Sequence, residues 1–99
     1  MQEDHVSMGW SAARKLRRSL DGLCRVLAIE LLSAARALEL RRPLQPGPAT
    51  GAVVAALRER VAGPGPDRFL APEIEASYEF VGSGAALAAA ESQLAGPLD

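Results

Sequence analysis

The chain reads as all-α: one long bundle helix over residues 7–42, then three short helices over about 49–61, 72–81 and 85–95. Three observations carry this. Leu16, Leu20, Leu23, Leu27, Leu31, Ala34 and Leu38 recur at spacings of four and three, which aligns side chains along one side of a helix. No stretch has the strict apolar–polar alternation of a half-buried strand. Clusters of proline and glycine at 43–48, 63–66 and 82–84 separate the periodic stretches.

The long helix comes first. Met1 to Val6 is a polar lead-in, and Ser7 or Asp4 is a suitable N-cap. The leucine spacing repeats after eleven residues, which favours a nearly straight or slightly right-handed rod over a left-handed coiled coil. Gly9 and Gly22 each weaken the helix by up to about 1 kcal/mol relative to alanine. Such a glycine points to close approach of a neighbour. Arg14, Arg18, Asp21 and Arg25 form a polar stripe in which Asp21 can pair with Arg18 or Arg25. Arg41, Arg42 and Pro43 end the helix.

After the connector at 44–48, the second helix sets Val53, Val54, Leu57 and Val61 on its inner face. Gly63-Pro64-Gly65-Pro66-Asp67 makes a turn, with Phe69 and Leu70 as packing points in the loop. Pro72, with Glu73 and Glu75 in the opening turn, starts the third helix. Gly82-Ser83-Gly84 breaks it before an alanine-rich last helix.

Burial sets the main expectation. Between Leu23 and Leu38 only Arg25, Glu30, Ser33 and Arg36 interrupt an otherwise apolar run. A helix apolar nearly all round is buried nearly all round. A rod of about 33 residues is roughly 50 Å long, whereas a compact chain of about 100 residues has a radius of gyration near 13 Å. The later segments are too short to cover it. The helix is therefore expected to belong to a larger bundle, completed by other chains or further sequence.

Composition narrows the setting. The net charge is −1, which gives no electrostatic case for nucleic acid or an anionic membrane as partner. Cys24 is the only cysteine, so no internal disulfide forms and a reducing, cytoplasmic compartment is expected. The densest apolar run, 26–38, is too short to span a membrane and carries Glu30 and Arg36.

The dense cluster of functional side chains is the lead-in: Gln2, Glu3, Asp4 and His5. On residue types alone it has three readings. As a metal site it is poor, because neighbouring positions rarely converge and no second histidine or cysteine pair exists. As a solvated cap it needs no function. As an active-site segment it would hold a carboxylate near the positive end of a long helix. Elsewhere, Arg14, Lys15, Arg17 and Arg18 are not on one face and read as a solvated or intersubunit surface. Cys24 reads as a small core residue, and Trp10 and Tyr78 as packing residues.

Gln2-Glu3-Asp4-His5-Val6-Ser7-Met8-Gly9 resembles the signature near the start of the C-terminal part of histidine ammonia-lyases, in the aromatic amino acid ammonia-lyase family. Ala12 to Leu16, Val26 to Leu32, Ala34 to Leu38, Asp67-Arg68 and Ala71 to Glu75 continue the similarity across essentially the whole chain. The resemblance implies an all-helical homotetramer with a central bundle of long helices. It implies elimination of ammonia from L-histidine to give trans-urocanate, using an electrophilic methylidene-imidazolone formed from an internal Ala-Ser-Gly. This chain has no Ala-Ser-Gly, so by itself it is expected to be inactive and to form the C-terminal portion of such an enzyme.

By the same resemblance Glu3 is the active-site glutamate, catalytic and substrate-binding, and Gln2 is its substrate-binding neighbour; His5 shapes the local network. Two alternatives stand beside this: a portion of a tyrosine or phenylalanine ammonia-lyase or an aminomutase, and a non-catalytic helical interaction module. A carboxylate against a benzene ring would be desolvated without a partner, at several kcal/mol. Against imidazole it accepts a ring N–H, and a site built on that bond rejects analogues lacking it.

Overall fold

A computed structural model of the chain describes residues 2–63, 65 and 68–94, and for residues 2–7 the backbone alone. Among the described residues the chain forms four helices: α1 (Gln2–Leu40), α2 (Pro48–Arg58), α3 (Ala71–Gly82) and α4 (Ala85–Glu91). None of these residues is in a strand.

The first helix starts earlier than position 7. No proline or glycine precedes Gly9, and Glu3 and Asp4 put negative charge at the positive end of the helix. The lead-in is thus the first turns of α1, and neither Asp4 nor Ser7 is its cap. At the other end the helix stops at Leu40, and Arg41 and Arg42 stand in a tighter turn beyond it. Their N–H groups donate to Leu38 O (3.1 Å) and Glu39 O (3.3 Å). Helix α2 opens on Pro48, which lacks the N–H a first helical position would leave unused. It ends at Arg58, though Val61 N still donates to Leu57 O at 3.0 Å. Gly84 takes a left-handed φ of 86° between α3 and α4, a conformation glycine adopts at no steric cost. The last helix stops at Glu91 with Ser92 at its C-cap, short of the expected Ala95.

At 1.5 Å per residue the 39 residues of α1 make a rod of about 58 Å. The molecule measures 64 × 38 × 18 Å, with a radius of gyration of 17.7 Å. The three short helices gather at the C-terminal part of this rod. There Ala35, Leu57, Val61 and Phe80 form the buried cluster, with Leu31, Leu32, Val53 and Val54 packed against it. Glu39 and Arg58 tie α1 to α2 beside the cluster: Arg58 Nε donates to Glu39 Oε1 at 2.7 Å, and the carboxylate is only 9% exposed.

Helix α3 lies across α1, but not on its leucine stripe. The contacts include Asp21, Arg25 and Ala35, with the fully buried Ala28 on the same side of the helix. At about 100° per residue these stand roughly a third of a turn round the helix from Leu16, Leu20, Leu23 and Leu27. Those four leucines remain 62%, 55%, 52% and 41% exposed, and Val26, Ile29, Met8 and Trp10 are exposed as well. Gly9 and Gly22 have open space where a Cβ would stand, so none of the described residues makes the expected close approach. Trp10, Phe69 and Leu70, expected to pack, are likewise largely exposed. Cys24 is half-buried beside α3 rather than in the core.

The α1–α3 contact has a polar flank. Arg25 Nη1 donates to Glu75 Oε2 at 2.9 Å, its guanidinium lies 4.2 Å from the Tyr78 ring centre, and Tyr78 donates its hydroxyl to Asp21. Under this flank Ser77 is fully buried and its hydroxyl has no partner, which costs about 1–3 kcal/mol. The bond to the Asp21 carboxylate, with desolvation second, raises the Tyr78 phenol above its ordinary value, near 10. A proton held more tightly in the folded state stabilises that state below the ordinary phenol value. That stabilisation is lost as pH rises through the folded-state value. Tyr78 is the only tyrosine, so tyrosinate absorbance reads it alone. Its midpoint should lie above that of free tyrosine and return towards it in Asp21→Asn. An unshifted wild-type midpoint would contradict the contact.

Candidate functional site

The candidate residues stand at the end of the rod remote from the buried cluster. Gln2 and Glu3 occupy the opening turn of α1 and His5 follows in the next; their backbone is helical, and their side chains lie outside the described residues. The first N–H groups of a helix have no acceptor within it and concentrate its positive end.

Nothing described in the chain closes around this turn. Glu3 is 32 positions from Ala35, or about 48 Å along the axis, while the whole buried cluster sits at the Ala35 end. The described side chains nearest in sequence, Met8 and Trp10, are 68% and 65% exposed. Arg14 lies over the Trp10 ring, 5.4 Å from its centre, at the side of the rod. One polar-lined cleft near the cluster, about 260 Å³, lies between the end of α1 and α2 and includes Glu39, Arg42 and Arg58. It is at the opposite end of the molecule. A substrate site is concave and excludes water over most of the ligand, so any walls around Glu3 come from residues outside this chain's folded lobe.

The structure therefore keeps Gln2, Glu3 and His5 on one short helical segment and brings no other described functional group to them. What sequence reading missed lies elsewhere. Asp21 with Arg25 (3.7 Å) was legible as an i, i+4 pair, but its extension to Glu75 and Tyr78 joins residues 50 and 57 positions apart. Arg68 likewise pairs with Glu73 and donates to the carbonyls of Ala62 (3.1 Å) and Gly63 (3.0 Å). Contacts of this kind carry no local spacing signal.

Comparison with known proteins adds what the isolated geometry lacks. The sequence model of a family described as aromatic amino acid lyase matches residues 1–59. The chain is 60% identical over 99 residues to a histidine ammonia-lyase of Streptomyces avermitilis and 61% identical over 99 residues to that of Streptomyces coelicolor. It is 57% identical over 98 residues to the histidine ammonia-lyase of Symbiobacterium thermophilum. Each match takes in 99% of this chain and 19% of the relative, so the chain spans about a fifth of the length of the curated relatives it matches. No solved structure matches the chain.

Proposed function

This chain belongs to the aromatic amino acid lyase family, and on that premise we propose that it is the C-terminal portion of a histidine ammonia-lyase, converting L-histidine to trans-urocanate and ammonia. The observation that carries the reading is the 57–61% identity to histidine ammonia-lyases along nearly the full chain. That likeness also favours histidine over tyrosine or phenylalanine as substrate.

The family uses an electrophilic methylidene-imidazolone, which supplies the activation for elimination. No residue here fits the role of its precursor, because the chain contains no Ala-Ser-Gly; in our reading that group belongs to the remainder of the enzyme. This chain's contribution is different. Glu3 accepts a ring N–H of the substrate imidazole or pairs with its ammonium. Gln2 adds hydrogen bonds beside it, and His5 orients the local network. The leucine face left bare on α1 packs into a bundle with the rest of the enzyme and with further subunits, as a homo-oligomer. Among the described residues no helix is long and apolar enough to cross a membrane, and a lone cysteine fits a reducing cytoplasm.

The test is an exchange. The 99 residues replace the matching fifth of the Streptomyces coelicolor enzyme, and urocanate formation is followed by its absorbance. The hybrid should turn over histidine at a rate within tenfold of the parent, while the isolated chain forms no urocanate. A well-assembled hybrid without activity would refute the assignment. Turnover by the isolated chain would refute its role as a portion. A non-catalytic helical module would leave both silent.

A further inference from the structure

Phe69 is the most exposed large apolar residue described, at 81%, and Leu70 beside it is 50% exposed. They stand at the start of α3, on a segment separate from the leucine stripe of α1. Their backbone is nevertheless pinned. Arg68, immediately before Phe69, pairs with Glu73 on the first turns of α3 and donates Nη2 to the carbonyls of Ala62 and Gly63. Arg58 donates Nη1 to the same Ala62 carbonyl at 2.8 Å and is itself held by Glu39. The network reaches from α1 through the end of α2 to the start of α3, and its outcome is an aromatic ring directed away from its own core. An aromatic side chain presented on a fixed backbone loses little conformational freedom when it binds, which is what an interface anchor requires.

We propose that Phe69, with Leu70, is a docking anchor that enters an apolar pocket in the other four fifths of the enzyme. The proposal rests on the reading of this chain as a portion of a histidine ammonia-lyase. The occupant follows from length: the relatives are about five times as long as this chain, and the chain's own core leaves the ring uncovered. Arg68 and Glu73 then act as the frame that aims it.

The experiment compares one substitution in two settings. In the isolated chain Phe69→Ser should leave thermal unfolding unchanged, because the ring touches no core there. In the hybrid enzyme the same change should lower the melting temperature by several degrees and reduce the fraction of assembled, active protein, while Phe69→Leu keeps most of both. An unchanged hybrid would overturn the proposal. Equal destabilisation of chain and hybrid would also overturn it, by showing that the ring packs within its own chain. A wild-type hybrid that assembles but lacks activity would instead count against the lyase reading alone, since assembly and melting are read without turnover.

Discussion

Glu3→Gln in the hybrid enzyme will lower kcat/KM for histidine by about 10²–10⁴-fold, the range seen when a group acting directly on the reacting substrate is removed. The substitution is nearly isosteric, so assembly and melting temperature should not move. What it removes is charge. A carboxylate makes charge-assisted bonds to an N–H or an ammonium roughly twice as strong as a neutral amide does. Measured alongside, Gln2→Ala should act more mildly, because it removes one neutral hydrogen-bonding partner worth about 0.5–1.5 kcal/mol. A loss of less than tenfold in Glu3→Gln, with the enzyme intact, would take Glu3 out of the site.

Phe80→Ala in the 99-residue chain should cost about 3–5 kcal/mol, the usual range for emptying a buried aromatic position. Few proteins have more than 5–15 kcal/mol in total, and here the described buried apolar residues are Ala28, Ala35, Leu57, Val61 and Phe80. Phe80 is the largest of them and the one through which α3 joins the cluster. Its loss should release α2, α3 and α4 together, read as lost hydrogen-exchange protection across 48–91 and a lower melting temperature. Leu20→Ala is the contrast. That leucine is 55% exposed, and its truncation should change the isolated chain by no more than about 0.5 kcal/mol. If Leu20→Ala destabilised the isolated chain as much as Phe80→Ala, the leucine stripe would be covered by the chain itself and the packing described here would be wrong.

The four helices were legible because their signals are local. Leucine spacing, Pro48 and Pro72 at helix starts and the Gly82-Ser83-Gly84 break act within one or two turns of chain. The start of α1 was misplaced for the same reason, since Asp4 and Ser7 look like caps whether or not the helix runs on before them. The candidate site was read in a different way, through the likeness of the Gln2-to-Gly9 segment to a family signature, and nothing described in this chain surrounds that segment. Phe69 and Leu70 show the limit most plainly. Their apolarity says that they pack, and only coordinates say that they do not pack here.

By itself the sequence determined that there is a long helix with more apolar surface than 99 residues can cover, that no precursor of the electrophile is present, and that Gln2 and Glu3 open the helix's signature segment. The tertiary structure decided which side of that helix is covered. Side chains of one helix are ordered by angle about its axis, but the choice among faces depends on what a second helix can bring to each. Helix α3 carries Glu75 and Tyr78, which match Arg25 and Asp21, with buried Ser77 and Phe80 close by. It therefore settles on the mixed face around Ala28 and Ala35, where ion pairs and small residues meet, and leaves Leu16, Leu20, Leu23 and Leu27 largely exposed.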